Sequence, residues 1–145
     1  MSELARKLVE GFHKHSFYAG VNTAFIEVVG LGCKGLALSS PYTREEAEAL
    51  LPYTVEFARR FGVEVVEEPN LLTSLLFPRE ITEGKTVFLI AREEALREYQ
   101  ALKRLREESD KLGNPRGLEE EIAWRFGRLL SYDDESIRRL IEENG

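Results

Sequence analysis

Residues 86–91 read Thr-Val-Phe-Leu-Ile-Ala, a short unbroken apolar run between the turn-forming Glu83-Gly84-Lys85 and Arg92. A strand with no polar alternation offers no face to water, so it must be central and covered on both sides. Whatever else the chain does, it has to build cover for this segment.

The remaining patterns suggest how. Leu4, Leu8, Val9 and Phe12 have helical spacing over residues 3–15, ending before Ser16–Gly20. Thr23–Val29 is rich in β-branched and aromatic residues and reads as a strand, as does Leu36–Ser40. Thr43-Arg44-Glu45-Glu46 matches a capping box opening a helix whose apolar face runs from Ala47 to Phe61. Pro52 lies inside that helix, and a kink or break is expected there. Val63–Glu68 reads as a strand exposed on one side, and Leu71–Phe77 fits a strand or a helical turn equally well. From Arg92 onward the chain is helical over 93–112, 118–130 and from about 134. The expected fold is one α+β domain over 1–145. Its sheet part (1–92) holds a small mixed or antiparallel four-stranded sheet packed with helices, and residues 93–145 form a helical part.

A length of 145 residues suits one domain with a real core. The net charge of −6 is slightly positive through residue 42 and negative beyond, which argues against a general nucleic-acid partner. No apolar run approaches a membrane span, and no secretory leader pattern opens the chain, so a cytoplasmic location is expected. The abundance of Glu and Arg, with a single Gln, resembles proteins from hot environments.

The sharpest motif is Gly30-x-Gly32-x-x-Gly35, formally a dinucleotide fingerprint. Its context fails, because strand-like residues ending in Pro41 follow where a helix should begin. A glycine-rich hairpin between two strands is the favoured reading. The alternative is a loop that holds a small anionic or nucleotide-like ligand through Gly30, Gly32, Lys34, Gly35, Ser40, Tyr42 and Thr43. Cys33 beside Lys34 would need a base to act as a nucleophile. The only histidines, His13 and His15, point to different sides of a helix at i,i+2. Neither a metal site nor a cofactor is expected, and the many paired carboxylates read as solvated helix faces.

Tyr99, Leu102 and Leu105, in a heptad-like series running to Leu112, form either a dimer seam or packing onto the chain's own sheet. Trp124, beside Arg125 and Arg128, is a further candidate for a subunit contact. Arg125, Arg128, Arg138 and Arg139 could serve an RNA partner, although the acidic charge speaks against it. The segment Gly127-Arg128-Leu129-Leu130-Ser131-Tyr132-Asp133 resembles the end of the mainly archaeal domain of unknown function 483 family. That family would carry Gly at Ser131 and Pro at Asp133, and the resemblance implies no activity because the family has none assigned. The favoured function is a non-catalytic regulatory or interaction protein that self-associates as a homodimer. The alternative is a binding protein or enzyme for a small anionic ligand.

Overall fold

The computed structural model describes residues 2–10 and 13–145. At its centre is β3 (Val87–Ala91), every residue of which is buried. It pairs antiparallel with β1 (Leu36–Leu38) on one side and with β2 (Glu64–Glu68) on the other, in the order β1-β3-β2. Leu38 and Val66 flank Leu89, while Ala37 and Val65 flank Ile90. Alternation along the strands therefore sends two separate apolar sets to opposite faces.

One face is covered by α2 (Lys14–Gly30) and α3 (Arg44–Arg59), whose Ile26, Val29, Ala47, Leu50 and Ala58 pack with Ala37, Phe88 and Ile90. The other is covered by α4 (Glu93–Lys111), α5 (Arg116–Leu129) and α6 (Asp134–Asn144). Their Tyr99, Leu102, Ile122, Phe126 and Ile137 pack with Leu36, Leu89 and Ala91. The fold is α+β, as the sequence implied, and among the described residues the sheet has three strands rather than four.

The missing strand is residues 23–29, which lie inside α2. Strand propensity is weak against tertiary packing, and here the inward positions Asn22, Ile26 and Val29 recur at helical spacing and are all buried. With no strand there, the expected hairpin through Gly30–Gly35 does not exist. α1 (Glu3–Glu10) ends before residue 15, and α2 starts separately at Lys14. The side chains of Leu8 and Val9, and all of Phe12, lie outside the described residues.

α3 runs unbroken through Pro52. Both Pro52 and Glu48, the residue four positions earlier, are exposed, so the carbonyl deprived of its amide partner can reach water. Residues 71–77 form neither a helix nor a sheet strand but a loop closed by a Ser74–Phe77 bridge. It buries Leu72 and Leu76 while its backbone is satisfied from outside: the Leu72 amide donates to the Tyr99 hydroxyl at 3.0 Å, and Asn144 Nδ2 donates to the Leu76 carbonyl at 3.0 Å.

α5 and α6 meet at Gly127, where a Cβ would stand 2.6 Å from Ile137 Cγ1. Ile137 is itself fully buried and has little room to yield. Gly127→Ala is therefore expected to destabilise the fold by about 1–3 kcal/mol through overpacking, measured as a lowered denaturant midpoint at unchanged slope.

Candidate interaction surface

α2 is the most informative element. His13 caps its start by accepting the Ser16 amide at 3.2 Å on Nδ1. Its end closes in a Schellman motif: Gly32 N donates to Val29 O at 3.0 Å and Cys33 N to Val28 O at 3.0 Å, with Gly32 at φ +83°. That positive φ is the reason for a glycine at 32.

The inner face of α2 is fixed in rotation by a buried polar chain. Tyr42 Oη donates to Asn22 Oδ1 at 3.2 Å, Asn22 Nδ2 donates to Thr54 Oγ1 at 3.3 Å, and Thr54 Oγ1 donates to Leu50 O at 2.7 Å. Rotating the helix would break these bonds among fully buried groups, where unmade bonds are expensive. With Asn22, Ile26 and Val29 held inward, the 3.6-residue repeat turns Gly20, Ala24, Val28 and Leu31 outward. Gly20 and Ala24 are exposed, Val28 is 38% exposed and Leu31 67%. Phe17, 38% exposed with its ring against Tyr18, heads the same row, and half-buried Val21 flanks it. Exposed Glu27, seven residues after Gly20, borders this row, and the other formal charge of α2 is Lys14.

The residues expected to hold a ligand each make contacts within the fold. Gly30 is where α2 approaches the turn after α3, since a Cβ would stand 2.8 Å from Phe61 Cβ. Gly35 passes the end of α5, where a Cβ would stand 2.9 Å from the Leu129 carbonyl oxygen, and its amide donates to Ser131 Oγ at 3.1 Å. Lys34 Nζ donates to the Leu130 carbonyl and lies 5.3 Å from the centre of the Tyr132 ring. Burial draws its pKa below the ordinary lysine value. The Ser40 carbonyl accepts from Ser39 Oγ at 2.9 Å. Tyr42 is fully buried, and its backbone pairs with Thr86. Thr43 caps α3 in a complete capping box. The structure thus brings Lys34 and Gly35 to the end of α5, and Tyr42 and Thr43 to the core and the α3 cap. A groove of about 420 Å³ lies elsewhere, lined by Asn70, Thr73, Arg79 and Glu83 among others.

The seam expected on α4 faces inward. Tyr99 and Leu102 are fully buried in the chain's own core and have no surface to offer a second copy, and Leu105 packs against the same cluster. Tyr99 Oη also donates to Glu68 Oε2 at 2.8 Å, which anchors α4 to β2. Trp124 is half-buried on that cluster, with the Arg128 and Arg138 guanidinium groups 5.2 and 6.0 Å from its ring. Arg125 is tied to Glu98 at 2.8 Å. Arg139 is exposed. Cys33 is exposed at the far end of α2, about 25 Å along the helix from His13 and His15. Those two rings stand 6.1 Å apart, edge-on, because His13 lies outside the helix as its cap. Among the described residues no three His, Cys, Asp or Glu side chains stand where they could share a metal ion. No described helix is long and apolar enough to cross a membrane.

Sequence reasoning missed the α2 surface although its signal was present. Phe17, Val21, Ala24, Val28 and Leu31 follow an alternating four-three spacing. In comparisons with known proteins the chain matches no family model, no curated protein and no solved structure.

The base of α2 is also tied to α3 by charge. Burial alone would raise the Glu46 pKa, but the Thr43 amide at 2.9 Å and the Lys14 ammonium at 2.9 Å outweigh it and hold the carboxyl below its usual range. With the folded pKa below an unfolded value of about 4.3, this carboxylate stabilises the fold above that pH. The contribution is lost as pH falls through the folded pKa. Glu46→Gln should therefore lower the melting temperature at neutral pH, and the gap from wild type should close as pH drops below about 4. Thermal melts across a pH series check this.

Proposed function

We propose that this chain is a non-catalytic interaction protein that works as a homodimer, joined through the outer face of α2. The observation that carries the reading is the exposed apolar row ending in Val28 and Leu31 on a helix whose inner face is already filled. Scattered apolar residues on a surface need no explanation, but a contiguous row along one helix marks a contact site. A largely apolar helix row with four-three spacing, bordered by Glu27, suits a second helix better than an anionic ligand. The partner argued for is a second copy. Each copy carries a net charge of −6, and α2, with one lysine and one glutamate, brings fewer charges to a contact between two copies than the strongly charged helices elsewhere. A two-fold contact needs only one self-complementary patch, which this row supplies.

Sedimentation equilibrium over a concentration series is expected to give a dimer for the wild-type chain. Val28→Glu combined with Leu31→Glu should raise the dissociation constant by about 100-fold or more, since two unpaired carboxylates would be desolvated at the contact. Far-ultraviolet circular dichroism of the variant should stay unchanged because both side chains are exposed. A wild-type chain that stays monomeric throughout the series, or a double variant that dimerises as before, rejects the reading.

A further inference from the structure

We propose that the outer edge of β2 takes an extended segment of a basic partner protein as an added strand, in the order basic, apolar, apolar, basic against Glu64, Val65, Val66 and Glu67. This goes beyond the α2 contact and does not depend on it. β2 stands last in the order β1-β3-β2, so one of its sides pairs with β3 and the other meets no strand among the described residues. An open side of a strand presents unpaired amides and carbonyls, a template for another chain. The opposite edge of the sheet is closed, since Leu36 and Ala37 of β1 are fully buried. No residue of β2 is buried, and Val66 is 37% exposed.

Between β2 and α3 lies a groove of about 410 Å³, lined mainly by Val55, Ala58, Val63, Val65 and Val66. Val65 and Val66 point to opposite faces of the sheet, so the groove reaches round the open edge. Glutamates flank the two valines. Glu68 is engaged within the fold by the Tyr99 hydroxyl and by Lys103 Nζ at 3.2 Å. Glu64 and Glu67 are exposed, and no cation among the described residues pairs with either. Arg44 and Arg59, which stand along the same side of β2, are held by Glu48 at 3.1 Å and Glu56 at 3.0 Å. Charge decides the occupant. If a second copy paired its β2 antiparallel so that both valines met valines, Glu64 would stand opposite Glu67, and like charges across a ladder are destabilising. Lysine or arginine at those positions completes two opposite-charge pairs instead, while two apolar residues between them meet Val65 and Val66. A net charge of −6 draws such a segment in. Charge on an edge strand can serve only to keep edges apart; here the exposed valine and the apolar groove also give an added strand surface to bury.

The test titrates the isotope-labelled full chain with an end-blocked peptide reading Ser-Thr-Lys-Val-Val-Lys-Thr-Ser and follows amide chemical shifts. The shifts should centre on residues 64–68, and added salt should weaken binding. The same peptide with glutamate for both lysines should bind more weakly by about 10-fold or more. Glu64→Lys combined with Glu67→Lys should reverse that preference, with an unchanged far-ultraviolet circular dichroism spectrum because both side chains are exposed. An added strand uses alternate backbone amides, so methylating one of the peptide's two valine amides should cost about 10-fold and methylating the other should not. Charge attraction without strand pairing would treat the two methylated peptides alike. That result overturns the proposal, as do equal binding of the lysine and glutamate peptides, shifts centred elsewhere, or no binding at about 1 mM peptide. Concentration-dependent shifts at residues 64–68 in the chain alone would assign the edge to a second copy and overturn it too.

Discussion

Because β3 has no polar face, the chain must place a packed layer on each side of it. Phe88 and Ile90 face one layer, and Leu89 and Ala91 the other. With β1 only three residues long and β2 largely exposed, the sheet is too narrow to shield its centre alone. The helices supply the cover: α2 and α3 on one face, α4, α5 and α6 on the other. The order of the elements follows from this demand. β3 arrives late in the sequence and pairs with two strands that were laid down before it, and the final helices fold over the face still open.

What couples the two layers is the short stretch after α2. The last turn of a helix leaves carbonyls without amide partners, and here each layer receives a cation from outside its own helices. The Arg92 guanidinium, just after β3, donates to the Gly30 carbonyl at the end of α2. Lys34, just after α2, donates to the Leu130 carbonyl at the end of α5. Both contacts also place positive charge at the negative end of a helix dipole. α5 closes as α2 does, with Ser131 N donating to Arg128 O and Tyr132 N to Gly127 O. Its left-handed position, φ +65°, is occupied by Ser131, whose hydroxyl in turn accepts the Gly35 amide. The glycine-rich segment is therefore a seam between helix ends, and its glycines serve a positive φ and two close approaches.

The parts legible in the sequence were those with one dominant signal. The apolar run at 87–91, the capping box at Thr43 and Glu46, and the amphipathic helices from 93 onward each carry a pattern with few competitors. The first third was illegible for a definable reason. A helix is recognised by contrast between its faces, and α2 is apolar on both: Ile26 and Val29 inside, Val28 and Leu31 outside. Without contrast, the β-branched composition of 23–29 dominated and suggested a strand, and the glycines that follow then resembled a hairpin turn. The α4 leucines misled in the opposite way. A heptad-like series suits a dimer seam and a helix lying on a sheet alike, and only the burial of Tyr99 and Leu102 decides between them.

The feature that hid α2 from sequence reading also bears on its role. A helix apolar all round is normally buried all round, yet this one is buried on one side only. Its outer face is only partly covered, with Val28 38% and Leu31 67% exposed. Val28 and Leu31 gain little by standing in water, and a mid-helix glycine at 20 costs about 1 kcal/mol against alanine. Replacing the three with alanine and charged residues would favour the isolated fold, through better helix propensity and higher solubility. The buried chain from Tyr42 through Asn22 to Thr54 gives the arrangement its direction, because it fixes which side of an otherwise ambiguous helix faces the core and which faces outward.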